Sequence, residues 1–332
     1  MEDLQSGAYK GFCLKETNGE KCPEDKHGSH TVTPLGWRPL TLLDKGMSAQ
    51  LFLKKKIENN LVSGDQDAFF VADLGDVVQK HWRFKKELPR VKPFYAVKCN
   101  SSKEVLQTLA VLGAGFDCAS MGEMEMILRM GVPATDIIYA NTCKQVSHIK
   151  YAAKHGIHRM TFDCENELVK LSTANPHAEM VLRIKTDDSG SWHKLSSKFG
   201  AHLQDCENLL KKANSLNIKV IGVSFHFGSV ATVTASFSKA IEDAKKVFDI
   251  GKKLGHCMKV WDIGGGFPGE SNFNPIFEEF AAVIIKSIDQ YFPNNHDLEL
   301  LQNLGDTMLP QLSLKRWLSL QKRRLRKKVL ME

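Results

Sequence analysis

The chain has 332 residues, 42% of them hydrophobic, which is enough to bury one large core with short flanks. Its formal net charge of +7 is carried by residues 315–332, where eight basic side chains stand against a single acidic one. The rest of the chain is therefore neutral as a whole. This distribution excludes a basic nucleic-acid-binding body and leaves open whether the tail contacts anionic surfaces or is only solvated.

The cysteines and the first residues indicate the cellular environment. Eight cysteines are scattered without a Cys-x-x-Cys pair, so neither a disulfide framework nor a metal site is predicted. Residues 1–30 carry charges where a signal peptide needs an apolar stretch, and no run is long enough to cross a bilayer. These features predict a cytoplasmic protein without a membrane span.

Residues 1–66 form a polar N-terminal extension with one predicted helix near Ala49–Asn60. From Ala68 onward, β-rich apolar runs alternate with helical periodicity, which is typical of βα units around a parallel sheet. A first run, Ala68–Ala72, precedes this rhythm. The eight strands predicted after it are 93–98, 115–117, 137–140, 160–163, 180–184, 220–227, 260–264 and 298–301. The helices predicted between them are 103–112, 122–130, 145–155, 165–173, 206–213, 237–253 and 277–291.

Polar or glycine residues stand where most of these strands end. They are Lys98, Asp117, Asn141, Asp163, Arg183, His226 and Gly264. In a TIM-like (β/α)8 barrel every strand delivers its last residue to one rim, whereas an open sheet would spread these groups along a line. Their chemistry favours an α/β fold with such a barrel over residues 67–301, although polar residues at strand ends are also common loop starters.

Lys98 ends the apolar run PFYAVK, which we expect to be buried against the barrel interior. A lysine there is costly unless its amine is paired or its pKa is lowered, and a lowered pKa is what a lysine that binds a cofactor covalently needs. From position alone, a lysine that reaches from the strand end to water is an equal alternative.

Two further motifs follow late strands. The segment DIGGGFPG, Asp262 to Gly269, reads as a phosphate cradle because glycines let backbone N–H groups approach an anion; a purely structural turn is the alternative. Its literal match to G-x-G-x-x-G is weak, since it falls late in the chain and Pro268 stands where a helix should begin. In VSFHFGS, His226 leaves the sixth strand and Ser229 follows in a loop, where an imidazole could stack on a cofactor ring and a hydroxyl could bind phosphate.

Eight collinear motifs resemble the barrel of eukaryotic ornithine decarboxylase and its antizyme-inhibitor relatives. They are PFYAVKCN, GFDCAS, IIYANTCKQVSHIKYAA, MTFDCENEL, VLRI, KFGA, GVSFHFGS and WDIGGGFPG. The resemblance implies a pyridoxal-phosphate (PLP) enzyme in which Lys98 binds the cofactor, Asp117 lies beside it and Arg183 is a further cofactor-site residue. His226 would stack on the ring and act in catalysis with Lys98. Phosphate binding would fall to Ser229, Gly264, Gly265 and Gly266.

The implied reaction is loss of the α-carboxylate from an amino-acid substrate into the electron sink of PLP, with L-ornithine giving putrescine. Two positions depart from the family pattern. The resemblance places a ring-nitrogen glutamate and a phosphate-binding arginine where this chain has Asn303 and Asp306. Weak turnover at most is therefore expected.

The family also has a C-terminal β-domain that completes the site of the neighbouring subunit. Residues 302–332, a divergent basic tail, resemble none of it, so we expect a truncated or alternatively spliced product that forms a homodimer or pairs with a full-length family member. Ala68–Ala72 would be a remnant strand of that missing domain. The orphan strand edge there predicts oligomers. Because the eighth strand departs from the family pattern, closure of the barrel beside the first strand is expected to be the weakest part of the fold, with fast hydrogen exchange near Phe69 and Leu300.

A binding function is the alternative to an enzyme. The segment Gln145–Leu168 resembles the one through which the family binds antizyme, and it carries Lys150, Lys154 and Arg159. These cations would meet an acidic partner surface, although a solvated helix face is an equal reading without the family. A third hypothesis is an unstable relic without function.

Overall fold

A computed structural model describes residues 47–64, 71, 73–267, 269, 275–293 and 298–305. The chain divides into two units, Met1–Asp67 and Ala68–Glu332. The described part of the first unit is helix α1, Ala49–Ser63, which confirms the predicted helix. Ser48 caps its N-terminus by accepting a hydrogen bond from the Leu51 N–H, and Gly64 ends it with a φ of 73°.

The second unit contains a closed barrel of eight parallel strands, as predicted. In chain order, with two short strands outside the barrel included, the strands are β1 Val91–Ala96, β2 Gly115–Cys118, β3 Ile137–Tyr139, β4 Arg159–Phe162, β5 Glu179–Arg183, β6 Ser191–His193, β7 Lys219–Ser224, β8 Ser229–Ala231, β9 Val260–Asp262 and β10 Glu299–Asn303. The barrel order is β1-β10-β9-β7-β5-β4-β3-β2, so β10 closes the sheet against β1. The last strand extends two residues beyond the predicted end of the barrel at 301.

Eight helices surround the strands in the described part of this unit. They are α2 Leu74–Glu87, α3 Lys103–Val111, α4 Met121–Arg129, α5 Val146–Lys154, α6 Glu165–Ala174, α7 Leu203–Ser215, α8 Ala235–Lys253 and α9 Phe277–Tyr291. The last seven were predicted. Helix α2 was not, and it contacts both α3 and α9. The Arg83 guanidinium donates to both oxygens of Glu278 on α9, at 2.6 and 2.5 Å, so the helix before the first strand closes the helical ring.

The core has two layers because successive strand residues face opposite sides of the sheet. One cluster packs inside the barrel and consists of Phe94, Ile138, Val181, Ile221, Val260 and Leu301. A much larger cluster lies between strands and helices. At the start of β4, Arg159 forms a two-pronged ion pair with Glu299 of β10, at 3.0 and 2.9 Å. These strands lie opposite each other, so the pair crosses the floor of the barrel.

A small antiparallel sheet, β6 with β8, was not predicted. Ser229 does not lie in a loop, as its sequence predicts, but begins β8 and is paired with His193. The predicted strand 220–227 also ends earlier, at Ser224, so that His226 and Phe227 lie in the connection between β7 and β8.

Other predictions fall partly outside the described residues. Of Ala68–Ala72 only Val71 is described, and it belongs to no strand. The tail after Gly305, Asp306 included, lies outside the described ranges as well. Within those ranges no helix is long and apolar enough to cross a membrane, and no group of three or more His, Cys, Asp or Glu side chains could hold a metal ion.

Candidate active site at the carboxyl rim of the barrel

Lys98 lies just beyond β1, in a single turn of 3-10 helix formed by Val97–Cys99. The apolar run is buried from Pro93 to Val97, as expected, whereas Lys98 itself is exposed at the rim. The turn rotates the chain after Ala96, so the lysine leaves the apolar interior that the strand residues before it occupy. Its charge still influences the pKa of Asp117 and of His226, which places the three groups near one another.

Asp117, near the end of β2, is buried and bonded to the side chain of Asn303 at the end of β10. The Asn303 amide nitrogen donates to the Asp117 carboxylate, and its amide oxygen accepts from the Gly305 N–H at 3.1 Å. Burial raises the pKa of Asp117, while Lys98, the Asn303 bond and Arg183 oppose that rise. Both the nitrogen and the oxygen of the Asn303 side-chain amide are therefore hydrogen-bonded within the site.

His226 has a fixed ring orientation because its Nδ1 accepts a hydrogen bond from the Gly228 N–H at 2.9 Å. Burial lowers the pKa of this imidazole well below its ordinary value, and the charges of Arg183 and Lys98 lower it further. The ring is thus neutral near pH 7, with its proton on Nε2. That edge faces the glycine turn, since a methyl group on Gly265 would lie 3.3 Å from Nε2.

The glycine turn follows β9 and requires glycine for two reasons. Gly264 and Gly266 have φ values of 64° and 106°, which side-chain-bearing residues rarely adopt. A methyl group on Gly264 would lie 1.9 Å from the Phe225 carbonyl oxygen. The Ala231 N–H donates to the Gly266 carbonyl at 2.7 Å, so the turn also holds the β6–β8 sheet and brings Ser229 to the same rim.

Arg183 ends β5 and carries the cationic charge on the far side of the rim. Burial lowers its pKa, and the carboxylates of Asp163, Asp262 and Asp117 raise it, so the guanidinium stays charged. Its charged carbon lies 5.1 Å from the centre of the Phe199 ring, within the range of a cation–π contact.

Asp262, the last residue of β9, is a site residue that is not among those predicted from the strand ends. Its carboxylate accepts from the Gly264 N–H at 2.9 Å and so fixes the start of the glycine turn. Burial raises the pKa of Asp262 to about 7, with Asp117 adding to the rise and the Gly264 bond and Arg183 opposing it. The feature of the sequence that could have identified Asp262 is its position two residues before Gly264, the first glycine of the turn.

This pKa predicts a pH-dependent stability. Because the folded state binds the Asp262 proton more tightly than the unfolded state, whose pKa is near 3.8, the contribution of Asp262 falls as pH rises from about 4 to about 7 and is constant above. Asp262→Asn should therefore gain free energy of unfolding relative to the wild type across that window, by up to about 4 kcal/mol at about 1.4 kcal/mol per unit.

Urea unfolding at several pH values measures this difference. Asp187→Asn is the control. Hydrogen bonds from Ser189 lower the pKa of exposed Asp187, so the contribution of Asp187 to the free energy of unfolding should change with pH in the opposite direction. A difference for Asp262→Asn that does not change with pH would contradict the assignment.

The predicted partner residues lie elsewhere. Lys150 and Lys154 are exposed on α5, and neither takes part in an ion pair with any described residue. Arg159 differs from them, because it is half-buried and paired with Glu299 at the barrel floor, opposite the rim. The structure thus groups Lys98, Asp117, Arg183, His226, Ser229 and the glycine turn at one rim and keeps the partner residues apart from it.

Comparison with known proteins agrees with this geometry. Residues 74–308 match the family model described as "Pyridoxal-dependent decarboxylase, pyridoxal binding domain". The chain is 53% identical over 264 residues to antizyme inhibitor 2 of Xenopus laevis and 52% identical over 264 residues to ornithine decarboxylase of Rattus norvegicus. Each alignment covers 80% of this chain, and 58% and 57% of those proteins. The chain thus spans little more than half the length of these curated relatives.

Solved structures show the same barrel. Arginine decarboxylase of Paramecium bursaria Chlorella virus superposes with a TM-score of 0.72 at 31% identity, covering 76% of this chain and 68% of that one. Ornithine decarboxylase of Entamoeba histolytica superposes with a TM-score of 0.66 at 31% identity, covering 76% and 71%.

Proposed function

Because this chain belongs to the ornithine decarboxylase and antizyme inhibitor family of PLP decarboxylases, we propose that its barrel binds PLP through Lys98 and decarboxylates L-ornithine to putrescine, with weak turnover. The observation that carries the proposal is the convergence of Lys98, His226 and the glycine turn on one rim. Identity alone does not separate an enzyme from an inhibitor, because relatives of both names are equally similar.

The rim fits a phosphorylated aromatic cofactor. Among the described residues, the N–H groups of Gly265 and Gly266 donate to no protein acceptor, and Gly265 carries no side chain to block an approaching phosphate. Neutral His226 beside the turn offers a flat face to a ring, and Ser229 offers a hydroxyl. These residues would hold PLP.

When bound, PLP supplies the electron sink for loss of a carboxylate. The chain supplies the rest: an exposed Lys98 amine at the rim, a hydrogen-bonded His226 that cannot swing away, and a cationic Arg183 that, with the Asp117 carboxyl group, would orient an amino-acid substrate. Asn303 gives no carboxylate at the position where the family glutamate is expected. Its amide is already bonded to Asp117 and Gly305, which is the physical reason for expecting weak turnover.

The test is a covalent map of the cofactor. Incubation with PLP followed by borohydride reduction should place the adduct on Lys98, as read by peptide mass spectrometry, and Lys98→Arg should remove it. Lys92→Arg is the matched control, because Lys92 lies on the same strand and is held near the barrel floor by Asp136. Labelling that persists in Lys98→Arg at another lysine would overturn the proposal.

Turnover is measured with a panel of basic and apolar amino acids. The panel is run with and without a full-length family member, since we propose that a homodimer or such a heterodimer supplies the residues of a neighbouring subunit. Carbon dioxide release from ornithine above that from the apolar amino acids supports the proposed substrate.

A second candidate function is antizyme binding without catalysis. Its support is the exposed side of α5, where Val146, Lys150 and Lys154 follow one another at intervals of four residues, together with Val169, which is exposed on α6. Cations that form no ion pair with a described residue, on the same side of a helix as an exposed valine, suit a partner that is acidic and partly apolar. Arg159 does not share in this support, because Glu299 already neutralises it.

A further inference from the structure

Asp188 is a buried carboxylate that lies outside the group of predicted site residues. It stands in the connection between β5 and β6, and it is 7% exposed. Its Oδ2 accepts hydrogen bonds from the N–H groups of Leu195 and Ser196, at 2.6 and 2.8 Å. Burial lowers the pKa of Arg183, and Asp188 is among the carboxylates whose charges oppose that fall. Asp188 therefore lies on the Arg183 side of the rim.

The two bonds to Asp188 Oδ2 close a short segment of the chain, residues 188–196. Strand β6, Ser191–His193, lies between the two ends of this segment. The Ser191 N–H also donates to the Asp188 carbonyl, at 3.0 Å. A carboxylate that accepts two backbone N–H groups holds both ends of a loop with charge-assisted hydrogen bonds. The position of β6 therefore depends on Asp188.

Strand β6 lies against the part of the chain that carries His226 and Ser229. His193 in β6 pairs with Ser229 in β8. A methyl group on Gly228 would lie 1.8 Å from the His193 carbonyl oxygen, so the two backbones are in direct contact. The Gly228 N–H is also the donor that fixes the His226 ring, at 2.9 Å. A shift of β6 would therefore displace both His226 and Ser229.

Further bonds connect the same segment to the glycine turn. The Gly190 carbonyl accepts from the N–H and from the hydroxyl of Thr232, at 3.0 and 2.6 Å. The Ala231 N–H donates to the Gly266 carbonyl. Contacts therefore run from Asp188 through β6 and β8 to the turn. Binding sites depend on supporting contacts of this kind, because a site residue that shifts by about 1 Å loses its productive geometry.

We propose that Asp188 is a positioning residue for the phosphate side of the cofactor site. By holding β6 against β8, it keeps Ser229 at the rim and the His226 ring in its orientation. This inference rests on the proposed binding of PLP. The alternative is a carboxylate that stabilises its own loop and nothing else. A positioning residue affects the affinity for a phosphate group, whereas a residue of the second kind affects only stability.

The test compares the affinity for PLP with the affinity for pyridoxal, which lacks the phosphate. Asp188→Leu removes the acceptor, so its PLP affinity should fall about tenfold or more, with a smaller loss for pyridoxal. Asp188→Asn should keep most of the wild-type ratio of the two affinities, because both N–H groups donate to one oxygen and asparagine also has one. Amide exchange over 228–231, measured without cofactor, should become faster in Asp188→Leu and stay near the wild-type rate in Asp188→Asn.

Asp187→Leu is the matched control, because exposed Asp187 accepts from the Ser189 N–H in the same loop, at 3.0 Å, and should change neither readout. An unchanged ratio of PLP to pyridoxal affinity in Asp188→Leu would overturn the inference, even if its urea midpoint falls. An equal loss in Asp188→Asn would also overturn it, since the charge would then be responsible. If the wild type binds no PLP, the proposed function fails. The exchange over 228–231 then decides the positioning role by itself: faster exchange in Asp188→Leu supports it and unchanged exchange refutes it.

Discussion

Asn303→Glu is expected to raise the rate of ornithine decarboxylation by roughly 10²–10³, the usual value of one well-placed charged contact in an active site. In the wild type the Asn303 amide is bonded to Asp117 and to the Gly305 N–H, so it brings no negative charge to the rim. A carboxylate there would favour a protonated pyridine nitrogen and so a stronger electron sink. Carbon dioxide release with PLP and ornithine measures the effect.

Asn303→Gln is the matched control, because glutamine has the length of glutamate without its charge. It should gain no activity. A second readout is thermal stability: without PLP, a glutamate beside buried Asp117 places two carboxylates together and should lower the melting temperature, and PLP should restore more of it than in the wild type. Equal gains in the two variants would show that side-chain length, rather than charge, governs the site.

Gly264→Ala is expected to abolish PLP binding and to destabilise the barrel by more than about 4 kcal/mol, a size seen only where a change breaks a specific structural constraint. The added methyl would lie 1.9 Å from the Phe225 carbonyl oxygen, which belongs to the backbone and cannot rotate away. The turn would have to move, and with it the N–H groups beside His226. Urea unfolding and PLP titration measure the two effects.

Gly113→Ala separates the clash from the backbone strain. Gly113 has a φ of 80°, similar to that of Gly264, but a methyl group there would meet nothing within 4 Å. Gly113→Ala should cost only the free energy of placing an alanine in the left-handed backbone conformation, about 1–2 kcal/mol, and should leave PLP binding intact. If both variants lose the same stability and both bind PLP, the close packing around Gly264 has no functional part.

The sequence predicts the barrel well because each strand is a continuous apolar run between helical patterns, and such runs arise from burial on both faces. It predicts the small β6–β8 sheet poorly. Ser191–His193 and Ser229–Ala231 are short and distant in the chain, so no local turn signal announces their pairing. Helix α2 was overlooked although Asp73 caps it and Val77, His81 and Phe84 line one buried face.

The candidate site shows a similar division. Strand ends indicated Lys98, Asp117, Arg183 and His226, because parallel strands deliver their last residues to one rim. The exposure of Lys98 depended on a single turn after β1, which its sequence does not signal. The bond between Asn303 and Asp117 joins the last strand to the second across the chain, so only the closed barrel reveals it.

The way in which the ring closes bears on how the protein folds. Strand β1 pairs with β10, and α2 pairs with α9 through Arg83 and Glu278, which are 195 residues apart. During synthesis, β1 therefore leaves the ribosome long before β10, and the edge of β1 that pairs with β10 stays unpaired until β10 has been made. Closure is a late, non-local step of the kind that slows folding, and chaperone demand should end only when residues 299–303 have left the ribosome.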